Sequence, residues 1–497
     1  MIRDTQRLAN GFFDLLIIGG GINGAAIANV AVDQGLKVAL LEKNDFASGT
    51  SSKSTKLLHG GIRYLENFDF ALVKEALKER FIQLKNVPYL AKPLAFIIPV
   101  YRNDKRPFLM MKFGVWLYDL LSGSYKVGRH RTLSAEEALR LEPNLDSKDL
   151  IGAVMYFDAQ MDDARIVLEN VLSAESKGAV VANYVEVREF IKDNGRVAGV
   201  IVYDKMLKKA FPVNARKVVS TVGPWTNSLL KMDSRQAKRM IRTTKGIHLV
   251  YEGSLTKHAL LITSQQDNRI FFVIPWMGNS LIGTTDTNYI KSPDDVSASQ
   301  KDIEYLLKET QRVFPNITLD EKKIIMTFAG LRPLVRKGGS PSSVSRKHII
   351  EETFSGLIYV IGGKYTTYRK IAYEAVSKIL NKRLDDPQLD YPLYGSGKVK
   401  ESAAEIAKRF SIGEDSAEHL LQKYGVRYLD VLELTKKDAA LKKKLCSCSP
   451  AIRAQVVYSS AIEMAYKEED ILLRLSLPYL PCKTHDCRKY ISAFLKN

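Results

Sequence analysis

The sequence lacks cysteine over most of its length. Its 497 residues contain 4 cysteines, and none occurs before Cys446. This distribution excludes a disulfide framework of the kind that holds small secreted domains together. The thiols of Cys446, Cys448, Cys482 and Cys487 therefore belong to one C-terminal feature.

Long apolar runs are also missing. No stretch approaches the roughly 18 consecutive apolar residues of a membrane-spanning helix, and the opening MIRDTQRLANGFFD is too polar for a secretory signal. We therefore expect an intracellular protein whose thiols stay reduced. Hydrophobic residues make up 45% and charged residues 26%, which is ordinary globular usage, and the length suggests roughly two to four domains.

Acidic residues are few relative to basic ones. Lysine and arginine total 74 against 55 aspartate and glutamate, so the formal net charge is +19. A field of this sign attracts nucleic acid, anionic lipid or a phosphorylated substrate. Charge alone does not choose among these partners.

The first pattern that points to chemistry is DLLIIGGGINGAAIANVAVDQGLKVALLEK, residues 14–43. A short apolar strand, a glycine turn, a small-residue helix and a second strand follow each other, as in a dinucleotide site. Gly19 permits the tight turn, Gly21 lets the backbone approach a pyrophosphate, and Gly24 allows close packing of helix and strand. Glu42 is placed for a ribose hydroxyl, which a purely structural glycine turn does not explain.

Later segments indicate that the nucleotide domain is discontinuous. GTSSKSTKLLHGGIRYLE, residues 49–66, stands where an NAD domain continues with another strand and helix. KVVSTVGPW, residues 217–225, reads as a strand ending in a loop, and GLIYVIGGKYTTYRKIA, residues 356–372, as a strand entering a helix. That last junction offers a second helix N-terminus near an anion or a flavin carbonyl.

These motifs resemble those of the FAD-dependent glycerol-3-phosphate dehydrogenases, within the D-amino-acid-oxidase-like flavoproteins. IGGGINGA, TSSKSTKLLHGGIRYLE, FVIPW, IGTTD, GLRPL and GGKYTTYRKIA stand in the family's order. Motif order and resemblance together predict an α/β fold: a discontinuous Rossmann-like FAD domain, an inserted mixed-sheet substrate domain and a small all-helical C-terminal domain. The expected boundaries are 12–75, 150–225 and 350–385 for the FAD domain, 76–149 and 226–349 for the substrate-capping domain, and 390–497 for the helical domain.

The resemblance implies oxidation of sn-glycerol 3-phosphate to dihydroxyacetone phosphate by hydride transfer to flavin N5, with electrons passed to quinone or a partner. A phosphorylated triol requires fixed cations, and arginine suits phosphate because its planar fork donates two parallel hydrogen bonds. Solvated surface charge, packing and helix capping are the ordinary alternatives for such side chains. The predicted substrate contacts are Arg63, Tyr64, Arg332, Lys364, Thr366 and Thr367.

The reaction also requires a base for the C2 hydroxyl proton. Histidine is the natural base because its pKa lies near neutrality. Of 7 histidines, His59 in LLHGG and His248 in KGIH stand in family motifs. We expect His59 to act as the base or to contact the flavin, with His248 and Arg332 as rivals and a purely structural histidine as the alternative.

The predicted cofactor contacts come from the glycine turns, the hydroxyl-rich loop and the two later strand ends. They are Gly19, Gly21, Asn23, Gly24, Glu42, Lys43, Thr50, Ser51, Ser52, Leu58, His59, Gly223, Trp225, Gly363, Lys364 and Thr366.

One stretch is unusually apolar: RPFLMMKFGVWLYDLLSG, residues 106–123. It is too short to span a bilayer, so it forms either a buried helix or an interfacial patch. Together with the +19 charge, it predicts peripheral association with the cytoplasmic side of an anionic membrane. We also expect a homodimer.

The four cysteines form a Cys-x-Cys pair and, after a helical stretch, a Cys-x-x-x-x-Cys pair. This spacing resembles the 2Fe-2S domain of bacterioferritin-associated ferredoxins, which the anaerobic type of glycerol-3-phosphate dehydrogenase carries at its C-terminus. The resemblance implies a 2Fe-2S cluster on Cys446, Cys448, Cys482 and Cys487. Residues 475–480 lack the glycine-containing run of that domain, so zinc, disulfides and unligated thiols remain open.

The sequence is also compatible with two functions other than a dehydrogenase. One is an oxidase that acts on the same substrate and gives its electrons to oxygen. The other is a basic FAD-binding protein that holds nucleic acid and uses the flavin structurally. The sequence shows no nucleic-acid module, so we expect no nucleic-acid partner.

Overall fold

A computed structural model describes residues 1–336, 348–386, 389–482 and 486–496. The strands in this part of the chain are β1 (Phe12–Ile18), β2 (Val38–Leu41), β3 (Leu57–Leu58), β4 (Ala91–Tyr101), β5 (Arg131–Ser134), β6 (Leu150–Met161), β7 (Val180–Ala182), β8 (Val185–Asp193), β9 (Arg196–Asp204), β10 (Lys209–Ser220), β11 (Ile241–Tyr251), β12 (Ala259–Thr263), β13 (Ile270–Trp276), β14 (Asn279–Gly283), β15 (Thr287–Tyr289), β16 (Ile324–Val335), β17 (Ile349–Glu352) and β18 (Ile358–Ile361). The helices are α1 (Thr5–Asn10), α2 (Ile22–Asp33), α3 (Phe70–Asn86), α4 (Phe108–Ser122), α5 (Ala135–Leu141), α6 (Asp163–Ser176), α7 (Thr226–Asp233), α8 (Gln300–Val313), α9 (Tyr368–Leu380), α10 (Ala403–Phe410), α11 (Glu414–Tyr424), α12 (Tyr428–Lys437), α13 (Arg453–Ala461), α14 (Glu468–Arg474) and α15 (Asp486–Lys496).

The first sheet has eight strands, in the order β17-β18-β10-β1-β2-β7, with β8 and β9 continuing from β10. β1 pairs in parallel with β2 and β10, and β10 pairs in parallel with β18. The residues of β2 are buried throughout, as expected of a parallel strand covered on both faces. Helices α2, α6 and α9 cover one face. The carboxyl ends of β1, β2, β10 and β18 therefore meet at one edge, where α/β proteins bind ligands.

The second sheet has ten strands, in the order β15-β11-β14-β13-β12-β4-β6-β3, with β16 beside β11 and β5 beside β6. Most pairs are antiparallel, but β12 pairs in parallel with β4. Helices α5 and α8 pack in the core on one face of this sheet. The mixed-sheet α/β fold predicted from the sequence is confirmed.

The alternating pattern on both sides of an Asp-Asn-Gly turn predicts a hairpin at residues 184–204, and residues 271–286 read as a second strand pair; both are confirmed. β8 and β9 pair antiparallel across Asn194 and Gly195, whose φ angles of 47° and 79° suit a tight two-residue turn. β13 and β14 pair antiparallel across Met277 and Gly278. Both turns have strong local chemistry, which is why the sequence alone locates them.

The sheets divide the chain differently from the expected boundaries. β3, expected within the FAD domain, pairs with β6 in the second sheet. β6, expected within the FAD domain, lies in the second sheet because it pairs with β4 along its whole length. α7, expected in the capping domain, packs Leu229 and Leu230 into a core of the first sheet. Residues 337–347 of the expected capping domain lie outside the described residues.

The apolar segment at residues 106–123 forms α4, which combines features of both alternatives. Val115 and Tyr118 are buried against the body of the protein. The opposite side is open: Leu109 is 78% exposed, Phe113 60% and Trp116 46%. α4 is thus apolar both on the side that is buried and on the side that is left open.

Helices α10 to α15 form the helical C-terminal domain, with two small apolar cores of their own. Its contact with the rest of the protein includes buried ion pairs. Arg474 donates to both oxygens of Asp45, at 2.6 and 2.8 Å, and all of these side chains are buried. Since a buried charge is costly without its partner, the docking of this domain depends on these pairs.

Arg474→Ala should destabilise the protein by about 3 to 5 kcal/mol, because it leaves the Asp45 carboxylate buried without its guanidinium. The measurement is chemical denaturation followed by circular dichroism. The matched control is Lys436→Ala, which breaks an exposed pair with Glu433 and should cost less than about 1 kcal/mol. Equal losses in the two variants would contradict a structural role for the buried pair.

Candidate active site

A cavity of about 1050 Å³ lies between the two sheets. The residues that follow the carboxyl ends of β1, β2, β10 and β18 form one side of it: Gly19, Glu42, Thr221 and Gly362. The second sheet contributes the other side, including His248 from β11 and Arg332 from β16. Residues from distant parts of the sequence therefore line one cavity.

The glycine turn after β1 has the shape that a nucleotide site requires. Gly19 has φ of +109°, which only glycine adopts easily. A Cβ on Gly24 would stand 1.9 Å from the carbonyl oxygen of Gly19, so α2 packs against the turn only without a side chain there. The backbone N–H of Ile22, at the start of α2, donates to Ser51 Oγ at 3.0 Å.

Glu42 is held beside this turn by the backbone. Its carboxylate accepts hydrogen bonds from the N–H of Gly20 at 2.8 Å and of Asn44 at 2.9 Å. Burial raises the pKa of Glu42, while these two hydrogen bonds act in the opposite direction. The carboxylate lies at the cavity wall with its position fixed, where it can accept further hydrogen bonds.

Most of the predicted cofactor residues line this cavity, and three do not. Gly24 packs inside the turn, Leu58 is buried in β3, and Ser52 uses its carbonyl oxygen to accept from Lys56 Nζ at 2.8 Å. The predicted residues at the cavity wall are Gly19, Gly21, Asn23, Glu42, Lys43, Thr50, Ser51, His59, Gly223, Trp225, Gly363, Lys364 and Thr366.

A small polar cluster lies at the cavity wall. Lys43 Nζ lies 4.2 Å from the centroid of the Trp225 ring, an attractive cation–π contact. Both side chains also donate to Asp294, at 2.6 and 3.0 Å. Three chain segments thus fix the indole at the cavity wall.

Basic side chains line the part of the cavity nearer the second sheet. Arg332 donates to Asp286 Oδ1 at 3.0 Å and to Thr284 Oγ1 at 3.0 Å, which orients its guanidinium. Lys364 Nζ lies 3.9 Å from the centroid of the Tyr64 ring, and Arg63 lies on the same short helix, Ile62–Asn67. These residues supply the positive charge that binding of a phosphorylated substrate would need.

Thr366 and Thr367 have different places. Thr366 lines the cavity, whereas Thr367 is buried and donates to the carbonyl oxygen of Lys364 at 3.3 Å. Thr366 also exchanges hydrogen bonds with the backbone of His59, accepting from its N–H at 3.2 Å and donating to its carbonyl at 3.3 Å. The loop that carries His59 is thereby fixed to the start of α9.

His248 lines the cavity but is almost completely buried, with 2% of its surface exposed. Its ring stacks on Phe328 with 4.9 Å between centroids, and Nε2 lies 2.9 Å from Thr55 Oγ1. Burial, assisted by the charges of Arg332 and Lys56, holds the pKa of His248 well below its usual range. The imidazole is therefore neutral at pH 7.

The sequence gives no indication of a buried ion pair beneath the hydroxyl-rich loop. Lys56 Nζ donates to Asp163 Oδ1 at 2.5 Å, and Ser54 Oγ donates to Asp163 Oδ2 at 2.6 Å. The neighbouring Asp162 accepts from Lys423 Nζ, in α11, at 2.5 Å. An acidic pair at the start of a helix reads as ordinary N-capping, so only the fold reveals these partners.

The four cysteines meet in the helical domain. Their Sγ atoms all lie within 4.8 Å of one another. Cys446 and Cys487 form a disulfide, one of the alternatives that the sequence leaves open, and Cys448 and Cys482 lie beside it outside any disulfide. Burial and the neighbouring Cys482 thiol raise the pKa of Cys448 to about 12.

Comparison with known proteins identifies the class. The sequence profile of the FAD dependent oxidoreductase family matches residues 14–369, and that of the C-terminal domain of alpha-glycerophosphate oxidase matches residues 389–481. The fold and the glycine-lined cavity thus define a flavoprotein oxidoreductase.

Similarity to individual proteins indicates which family of flavoprotein oxidoreductases the chain belongs to. The glycerol-3-phosphate dehydrogenase of Synechocystis is 37% identical, with 95% of this chain and 90% of that protein covered. The aerobic glycerol-3-phosphate dehydrogenase of Staphylococcus aureus is 36% identical, with 95% and 88% covered. The structure of the Bacillus halodurans glycerol-3-phosphate dehydrogenase complexed with FAD superposes with a TM-score of 0.80 at 28% identity, with 99% of this chain and 92% of that chain covered. The chain belongs to the family of FAD-dependent glycerol-3-phosphate dehydrogenases.

The lowered pKa of His248 predicts a pH-dependent stability. Below the unfolded pKa of about 6.5, the unfolded chain binds a proton that the folded protein excludes, so wild-type stability falls by up to about 1.4 kcal/mol per pH unit from this residue. His248→Gln should lack this loss. Denaturation of both proteins between about pH 7.5 and about pH 5 measures the difference.

Among the described residues, His419 is the other buried histidine; it is present in both proteins, so its contribution cancels. Above about pH 6.5 the stability difference between wild type and His248→Gln should be constant. A difference that stays constant below that pH as well would show that His248 has an ordinary pKa.

Proposed function

We propose that this protein oxidises sn-glycerol 3-phosphate to dihydroxyacetone phosphate with FAD and passes the electrons to quinone or a protein partner. The observation that carries the proposal is the meeting of three features in one cavity: the glycine turn, the basic side chains of Arg332 and Lys364, and two histidines. The Synechocystis and Staphylococcus relatives are named for the same substrate. The quinone acceptor and the homodimer are further proposals.

The residues at the glycine turn fit FAD. Gly19 and Gly21 leave the backbone open at the N-terminus of α2, where a pyrophosphate is favoured by the helix dipole. Glu42 presents a fixed carboxylate for a ribose, and Gly363, which follows the carboxyl end of β18 at the same sheet edge, leads into a second helix. When bound, FAD supplies the acceptor for the hydride that leaves C2 of the substrate.

Arg332, Lys364 and Arg63 would bind the phosphate. Asp286 and Thr284 fix the direction of the Arg332 fork, so little side-chain freedom is lost when substrate binds. The phosphate holds the substrate in one orientation, and this orientation presents the C2 hydroxyl to the base.

We assign the base to His59. His248 remains neutral, but a base with a strongly lowered pKa accepts a proton poorly at pH 7. His248 instead suits a hydrogen-bonding role, since Thr55 and the Phe328 ring fix its orientation. His59 lies at the cavity wall on a loop fixed by Thr366.

An oxidase that reduces oxygen is the second candidate. The match of residues 389–481 to the C-terminal domain of alpha-glycerophosphate oxidase favours it. Both candidates share substrate, cofactor and base, and they differ only in the electron acceptor.

Arg332→Ala should lower kcat/KM for glycerol 3-phosphate by about 30- to 1000-fold, because loss of a phosphate contact from a partly buried site costs roughly 2 to 4 kcal/mol. The measurement is the rate of flavin bleaching by glycerol 3-phosphate without oxygen. Arg216→Ala, which removes an exposed arginine outside the cavity, serves as the matched control.

No bleaching of wild-type flavin by glycerol 3-phosphate would reject the proposed substrate. Bleaching within threefold of wild type in Arg332→Ala would reject Arg332 as a phosphate ligand while leaving the substrate assignment standing. Oxygen uptake at the rate of substrate turnover would favour the oxidase, whereas quinone reduction that outpaces it would favour the dehydrogenase.

We further propose that the protein binds peripherally to anionic membranes through α4. In the part of the chain that the structure describes, no helix is both long and apolar enough to cross a bilayer. α4 instead presents Leu109, Phe113 and Trp116 on its open side. An interfacial helix of this kind adds its apolar contact to the attraction between a basic protein and anionic lipid.

Phe113→Ser with Trp116→Ser should weaken cosedimentation with phosphatidylglycerol vesicles by at least about tenfold, since it removes two exposed aromatic side chains from α4. High salt should weaken binding by wild type as well. The matched control is Ile290→Ser with Phe354→Ser, which removes two exposed apolar side chains outside α4. Equal binding by all three proteins would place membrane contact elsewhere.

A further inference from the structure

The cysteine quartet is assembled from three separate segments of the helical domain. Cys446 and Cys448 lie in a loop that is closed by a bridge between Lys444 and Ile452. Cys482 follows the short helix Leu477–Tyr479, and Cys487 lies in the first turn of α15. All four Sγ atoms nevertheless lie within 4.8 Å of one another. The disulfide accounts for the short distance between two of these sulfurs, but it does not account for the other two lying beside them.

We propose that the four cysteines, once the disulfide is reduced, bind a metal centre through four thiolates. Four sulfur ligands in a tetrahedral arrangement select zinc or iron–sulfur chemistry over harder ions. With metal–sulfur bonds of about 2.3 Å, the sulfurs around a single tetrahedral ion stand about 3.8 Å apart. The observed span is therefore compact enough for one ion, and a 2Fe-2S cluster would require the quartet to open.

The disulfide form and the metal form are related by a balanced exchange. A dithiol reductant breaks the bond between Cys446 and Cys487, is itself oxidised to a disulfide, and leaves two protein thiols. A divalent ion then replaces the four thiol protons of the quartet, which are released to solvent. The disulfide is thus the metal-free state of the same site.

The surroundings suit the charge of such a centre. A divalent ion with four thiolates carries a net charge of −2. A cavity of about 310 Å³ adjoins Cys448, Cys482 and Cys487, and its other lining side chains include the bases Lys322, Lys323 and Arg488 and the carboxylate of Glu252. Because Arg488 is paired with Glu468, Lys322 and Lys323 are the basic groups here that can offset part of the negative charge of the centre.

The site also lies next to structure that supports the active site. Tyr479, three residues before Cys482, accepts a hydrogen bond at its carbonyl from Asn279 Nδ2 at 2.9 Å. Its ring lies 6.4 Å from that of Phe328, on which His248 stacks. A metal that holds Cys482 therefore holds the segment packed behind His248.

The test uses the full-length protein, reduced with a dithiol under nitrogen and then exposed to Zn²⁺, or to iron and sulfide. Reduced wild type should retain about one zinc per chain, or about two irons per chain, after gel filtration. Zinc at 100 times its Kd should raise Tm by about 2 to 3 °C. One zinc identifies a single ion, and two irons with sulfide identify a cluster; both support the metal centre.

Two double variants separate ligation from cross-linking. Cys448→Ser with Cys482→Ser keeps the disulfide but removes two ligands, so it should lose the metal and the metal-induced shift in Tm. Cys446→Ser with Cys487→Ser removes both the disulfide and two ligands and should also lose them. Wild type that retains neither zinc nor iron overturns the proposal, as does equal metal in wild type and Cys448→Ser with Cys482→Ser. The wild-type result decides even where a variant does not fold.

Discussion

The structure depends on two adjacent carboxylates at the start of α6. Asp163 accepts from Lys56 and Ser54 of the hydroxyl-rich loop, and Asp162 accepts from Lys423 of the helical domain. Buried charges of this kind are tolerated only with their partners in place. Asp162 and Asp163 therefore link the conformation of the hydroxyl-rich loop to the docking of the helical domain, which lies more than two hundred residues further along the chain.

The cavity follows from the same arrangement. β6 ends at Met161, so the second sheet delivers the chain directly to this acidic pair, and α6 then covers the first sheet. The two sheets are thus joined at Asp162 and Asp163. The cavity between the sheets has the glycine turn on one wall and Arg332 on the other. His248 stays neutral beside Arg332 because burial and the nearby positive charges both disfavour its protonation.

The sequence predicts those parts of the fold that depend on local chemistry. The glycine turn, the β8–β9 hairpin with Asn194 and Gly195, and the helical C-terminal domain all carry strong short-range signals. Pairings between residues that are distant in the chain cannot be predicted from the sequence. Lys56 meets Asp163 only because β3 pairs with β6, and β6 lies in the second sheet because of its register with β4. The apolar side of α4 is likewise visible in the sequence, but which residues it leaves open is decided by packing.

The position of β18 beside β10 affects how the protein folds during its synthesis. Synthesis produces the glycine turn at Gly19 first, yet the strand that carries Gly363 and Lys364 to the same cavity emerges more than three hundred residues later. Until then the carboxyl-terminal part of β10 has one unpaired edge, because β9 pairs only with residues 209–214, and the cavity beside the glycine turn lacks one of its walls. A ribosome-bound chain therefore cannot complete its cofactor site early, and a chain that is cut short before β18 would expose a sheet edge and apolar core surface, the kind of species that chaperones and proteases recognise.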